Sequence, residues 1–156
     1  VRSIEDVEET FHPLFSATGK HYRYLIREEK VSSPFLERFF CQVRPGLDLG
    51  LMRQAAGKFL GEHSFASFAK SPDRYEDHHR TMTHSDVAEM DGTMFFDITG
   101  NGFLHNMVRN MAKALILVGQ GLMRVEEIED LFHSVDRRRL GSPAPPGGLY
   151  LMEVRY

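Results

Sequence analysis

Between Phe103 and Val118 apolar residues recur at helical spacing, and this stretch constrains the fold more than any other. At about 100° per residue, Phe103, Leu104, Met107, Val108, Met111, Ala114, Leu115 and Val118 fall within roughly 140° of one another. The opposite side carries His105, Asn106, Arg109, Asn110 and Lys113, and Gly119 and Gly121 stop the pattern. A helix this lopsided is stable only when a second layer covers its apolar stripe.

The remaining segments supply that layer as strands. From Lys20 the run HYRYLI alternates large apolar with polar or charged groups, as a half-buried strand does. Ser32, Ser33 and Pro34 break it. Two further strands are expected over Arg80–Met90 and Met94–Thr99, joined by the hairpin signal Asp91-Gly92. The terminal LYLMEVRY alternates again, and the opening VRSI has the character of a strand end. Asp48 should cap a helix from Leu49 to Leu60 that buries Leu49, Met52, Ala56, Phe59 and Leu60, with Gly61 as its stop. A shorter helix is expected over Val125–His133, and Asp136–Gly148 reads as a loop, first basic, then rich in Pro and Gly. The order predicts one α+β domain over residues 1–156, a largely antiparallel sheet with helices packed on one face.

Composition narrows the function classes. No apolar run nears the ~20 residues that cross a bilayer, and the charged start VRSIEDVEET predicts no signal peptide. The first residue is Val, so the chain reads as a piece of something longer. Cys41 is the only cysteine, which rules out an internal disulfide, fits a reducing, cytoplasmic setting and suggests a small buried residue beside Phe39 and Phe40. A net charge of −3 argues mildly against a nucleic-acid partner, but binding follows a local basic patch and not the sum.

Several sharper chemistries fail. His78, His79 and His84 lack a second cluster at ligand spacing, so no metal is expected. Thr99-Gly100-Asn101-Gly102 precedes a helix but lacks the glycine spacing and lysine of a phosphate loop. Asp97, alone in a strand, reads as a structural or surface carboxylate. Three features survive. Lys20-His21-Tyr22-Arg23-Tyr24 mixes aromatic faces that stack on bases with cations that hold phosphates, although a plain strand has the same pattern. Arg109 on the polar helix face could hold a carboxylate ionised if that face lines a cleft; a solvated face is the alternative. Arg137-Arg138-Arg139 with Lys70, Arg74 and Arg80 could form an RNA-backbone surface, or be scattered charge offset by acids.

Four elements resemble a known family. They are Phe11–Tyr24 (FHPLFSATGKHYRY), Gly61–Phe68 (GEHSFASF), Asn101–Met111 (NGFLHNMVRNM) and Ala144–Leu151 (APPGGLYL). In order and spacing they resemble the FHxxFSAxxxxYxY, GxHDFxxF, xFLxxMVRxM and APxxGLxL elements of tRNA pseudouridine synthases of the TruA family. The resemblance implies a fold of two similar halves, of which this chain is the second. It implies isomerisation of uridine to pseudouridine at positions 38, 39 and 40 of the tRNA anticodon stem-loop, by homodimers without metal or organic cofactor. No membrane is involved.

Residue by residue, the resemblance makes Tyr22 the aromatic residue that stacks on the flipped target base. It makes Arg109 the catalytic-site arginine that pairs with the family's aspartate and lowers its pKa, and Leu149 an apolar contact to the base. Arg80 and Thr81 match a short Arg-Thr element nearby, and Lys20 and Arg23 join the substrate-binding set. The family's aspartate sits in a GRTDAGVH element, and no such element exists in this chain. The segment alone is therefore expected to be inactive. Gly147 stands where relatives often carry His, with no function attached. The competing expectation is a non-catalytic RNA-binding or dimerisation module.

Overall fold

The computed structural model describes residues 4–13, 15–134 and 137–156. The expected strand end at the N-terminus lies outside them in its first three residues, as does the start of the basic loop. Six strands form one mixed, mostly antiparallel sheet: β1 (Gly19–Glu28), β2 (Cys41–Val43), β3 (Gly61–Ser64), β4 (His79–Met90), β5 (Thr93–Gly100) and β6 (Leu149–Arg155). The spatial order is β2-β1-β5-β4-β3, and β6 also pairs with β1. β1 therefore shares one edge between two partners. Its first half takes β6 antiparallel, from Gly19 to Tyr24, and its second half takes β2 parallel, from Ile26 to Glu28. Its other edge runs antiparallel to β5 along Lys20–Arg27.

Among the described residues three α-helices accompany the sheet: α1 (Leu49–Gly57), α2 (Met107–Gly119) and α3 (Glu127–His133). α1 and α2 lie against each other, α1 against β4 and α2 against β1. The α+β expectation with helices on one face is borne out. Tyr24 and Ile26 of β1, Met82 and Val87 of β4, and Phe96 and Ile98 of β5 are buried beneath Met52, Ala55 and Ala56 of α1 and Met107, Met111, Ala114 and Leu115 of α2. The apolar side of α2 is thus the one that covers the sheet, as its periodicity demanded. The β4–β5 turn has Asp91 at φ 51° and Gly92 at φ 71°, the paired left-handed conformations that a tight hairpin needs.

Boundaries differ from the sequence reading for local reasons. α1 keeps its expected start, with the Asp48 carboxylate accepting the Leu51 N–H at 2.9 Å. It ends at Gly57, because the N–H groups of Lys58, Phe59 and Leu60 each bond three residues back, to Ala55, Ala56 and Gly57. That tightening turns Leu60 outward, 44% exposed instead of buried. α2 starts at Met107 and not at Phe103, because Asn106 takes a left-handed conformation (φ 61°, ψ 9°) that no helix interior accommodates. Asn110, expected on the polar side of α2, is buried and donates to the Phe68 carbonyl at 2.5 Å. β2 and β3 are too short to show alternation and escaped the sequence reading. Cys41 is buried as expected, but Phe39 beside it is exposed.

Beneath the start of β6 the Tyr24 hydroxyl donates to the Pro145 carbonyl at 2.7 Å. Tyr24→Phe removes the donor and leaves a carbonyl with no replacement. The expected loss is about 1–2 kcal/mol in urea denaturation, with an unchanged m-value.

Candidate functional site

β1, the first turn of α2 and the start of β6 meet around a cleft of about 380 Å3. Its walls include Tyr22, Tyr75, Phe103, Asn106, Arg109 and Leu149. Tyr22 follows the strand alternation onto the same face as Tyr24 and Ile26, but is only half-buried, beside the first turn of α2. Its ring meets Phe103 edge-on, with centroids 5.0 Å apart. Burial pushes the Tyr22 hydroxyl pKa up, so the ring stays neutral at physiological pH. Leu149 enters opposite Tyr24 in the β1–β6 register and packs against the core edge.

Arg109 lies in the first turn of α2, where the helix dipole disfavours a cation. Its guanidinium is held nonetheless: Nε donates to the Ala144 carbonyl at 2.7 Å and Nη1 to Asn106 Oδ1 at 3.1 Å. The Ala144 N–H returns a bond to the Arg109 carbonyl at 3.3 Å, so arginine and Pro-rich loop lock each other. Both side-chain acceptors are neutral. Among the described residues no carboxylate pairs with Arg109, and no side chain caps the N-terminus of α2. The mouth of the cleft therefore concentrates positive potential next to a tyrosine face.

The structure brings Tyr22, Arg109 and Leu149, remote in sequence, to this one cleft. Other expected site residues lie elsewhere. Arg23 is on the opposite face of the sheet. There it makes a bidentate pair with Asp97 at 2.9 and 2.8 Å, and its guanidinium sits 4.5 Å from the Phe95 ring centre. His21 reaches the same carboxylate at 2.9 Å. Burial pushes the Asp97 carboxyl up, but the bonds from Arg23 and His21 outweigh it and leave the pKa below the ordinary value. The stability from this cluster is complete above the ordinary carboxylate range and is lost as pH falls through the depressed value. Asp97 is thus a structural carboxylate in its surroundings. Lys20 is on the Tyr22 side of β1, paired with Gly100 and Val154, outside the cleft wall. The Arg80 side chain bonds the Asp77 and His79 carbonyls and lies against Gly102, next to Phe103, while the Thr81 N–H donates to Asn101 Oδ1.

The basic run does not form a free cationic strip throughout, since Arg139 pairs with Glu127 and Asp130. The side chain of Arg137 lies outside the described residues. His78 Nε2 donates to the Pro72 carbonyl of its own loop, and His79 pairs with Asp77. A larger hollow of about 530 Å3, beside Glu37, Arg38 and Pro145–Gly147, gathers none of the expected site residues. Tyr75, Phe103 and Asn106 were not singled out from sequence. The one available signal was Asn106 itself, a residue type that tolerates the left-handed region.

Fold and site together define an α+β domain whose aromatic-walled cleft holds Arg109 and, among the described residues, no lining acid. A family model described as tRNA pseudouridine synthase matches residues 55–156, and the chain belongs to that family. Similar curated proteins are the tRNA pseudouridine synthase A of Ruminiclostridium cellulolyticum, 38% identical, and that of Aeromonas salmonicida, 40% identical. Each match covers 100% of this chain, but 64% and 58% of the two relatives. The chain thus spans about three-fifths of their length, and the resemblance read from the four sequence elements is borne out.

Proposed function

We propose that this chain is the second half of a tRNA pseudouridine synthase and that its cleft is completed by a carboxylate from outside residues 1–156. The observation that carries the reading is the Arg109 guanidinium, anchored among the described residues to neutral oxygens alone and set beside Tyr22 and Leu149. The substrate is a uridine of the tRNA anticodon stem-loop, at positions 38–40. Isomerisation breaks the N1–C1′ bond and forms C5–C1′; C5 gives up its proton and N1 gains one. The balance involves no net oxidation or reduction.

In this scheme the incoming aspartate acts on the nucleoside as nucleophile or assists proton removal. Arg109 keeps it ionised and aimed. Tyr22 supplies the aromatic face that replaces the stacking lost when the base leaves the helix. Leu149 closes the apolar side. Arg80, which lies against Gly102 outside the cleft wall, is a backbone contact to the RNA in this scheme. Lys20 is a phosphate contact on the same strand face as Tyr22. Arg23 contributes only if RNA also follows the far face of the sheet. Homodimerisation and a cytoplasmic setting belong to the same proposal and rest on the family resemblance.

The test is tritium release from tRNA labelled at uridine C5, using the whole protein that contains this segment. Tyr22→Ala is expected to lower turnover by about tenfold to a hundredfold, the worth of one base–aromatic stack. The isolated segment is expected to release no tritium. Full activity of the isolated segment would contradict the requirement for an external carboxylate.

The competing reading, a non-catalytic RNA-binding or dimerisation module, is favoured by the lack of any carboxylate paired with Arg109 among the described residues. It predicts salt-sensitive tRNA binding without isomerisation, even in the longest natural product.

A further inference from the structure

α2 begins in an unusual way. A residue at this position ordinarily has extended backbone and turns its side chain back to cap the first N–H groups of its helix. Asn106 does neither: its backbone is left-handed and its side chain makes no cap bond. Its Oδ1 instead accepts from Arg109 Nη1 at 3.1 Å. Both backbone polar groups of the residue before it are held, the His105 N–H donating to the Tyr75 hydroxyl at 3.0 Å and the His105 carbonyl accepting the Lys70 N–H at 2.9 Å. The chain thus enters Asn106 in a fixed direction, and the left-handed turn aims the amide along the first turn of α2.

We infer that Asn106 is a positioning residue, a neutral strut that sets the Arg109 guanidinium for the incoming carboxylate; this rests on the proposed role of Arg109. A flexible arginine needs more than one fixed contact to present its fork in one plane. The Ala144 carbonyl fixes Nε, and Asn106 fixes Nη1. Among the described residues Nη2 makes no hydrogen bond, which leaves one arm for a ligand. The neutrality of Asn106 matters as much as its reach: a carboxylate at this place would satisfy Arg109 internally and compete with the external acid.

The test uses the whole protein and tritium release, with Asn106→Gly, Arg109→Ala and the double variant. Glycine accepts the left-handed backbone, so the substitution removes the amide without straining the turn. The expected result is a drop in kcat of about tenfold with KM and thermal midpoint unchanged, the scale of one hydrogen bond to a charged group. In the double variant kcat should be no lower than in Arg109→Ala alone, since the strut then has nothing to hold. Asn106→Asp, which tolerates the same backbone, is the second variant and should lose at least as much kcat. Wild-type kcat in Asn106→Gly or Asn106→Asp, with Arg109→Ala crippled, overturns the inference and leaves the proposed function standing. Additive losses in the double variant overturn it too. Full activity of Arg109→Ala overturns the proposed role of Arg109, and the strut with it.

Discussion

Arg109→Ala in the whole protein is expected to lower pseudouridine formation by about a thousandfold, with tRNA affinity nearly unchanged. Removing one partner of a desolvated ion pair costs about 3–5 kcal/mol, and each 1.4 kcal/mol is tenfold in rate. The loss should fall on kcat, because in the proposed scheme the guanidinium orients the incoming acid while other contacts hold the RNA. The sign of the pH effect follows from the same pairing. A carboxylate next to a guanidinium titrates about 1–3 units below its ordinary value. The reaction needs the carboxylate ionised, so its acid limb lies low in the wild type. Without Arg109 that pKa rises and the acid limb of kcat moves to higher pH. Arg109→Lys should recover part of the rate, since it restores charge without the two-point anchoring to Ala144 and Asn106. Rates measured across the pH range for the three proteins check both statements.

Gly148→Ala is expected to produce a large loss of stability for a single added methyl group. A Cβ there would lie 2.6 Å from the Leu25 carbonyl oxygen, 3.0 Å from Tyr24 Cζ and 3.1 Å from the Cys41 N–H nitrogen. Two of these are backbone atoms of β1 and β2, which cannot swing aside as a side-chain end can. The expected cost is roughly 2–4 kcal/mol, a fall of about 10 °C in thermal midpoint. The damage extends to chemistry, because Gly148 joins the loop that holds Arg109 to the strand residue Leu149. Calorimetry on the isolated domain or the whole protein measures the first effect, and tritium release the second. Gly147 is equally confined: a Cβ there would lie 2.1 Å from the Glu37 carbonyl oxygen.

Elements with long, regular patterns were legible before any coordinates. The apolar side of α2, the hairpin at Asp91-Gly92 and the alternation in β1 all follow from side-chain periodicity, and they fix the layers. The convergence of Tyr22, Arg109 and Leu149 was legible only through the family resemblance, since periodicity carries no information about contacts between distant segments. What sequence could not supply depends on single backbone choices. Asn106 turns left-handed and moves the start of α2 from Phe103 to Met107. Lys58 begins a tighter turn and sends Leu60 outward. Strand parity places Arg23 on the face away from Tyr22, with Asp97 opposite it in register. That separation could have been read from the alternation of β1 itself. Tyr22 and Arg23, being adjacent, must point to opposite faces. The link between Ala144 and Arg109 uses only the backbone groups of Ala144, so no residue type there announced it.

The most direct measurement is a crystal structure of the whole protein, read at the Arg109 guanidinium. A carboxylate from a segment N-terminal to this chain is expected about 3 Å from Nη2, within the same cleft as the Tyr22 ring. A guanidinium facing solvent in that structure, or paired with an acid of residues 1–156, would contradict the account.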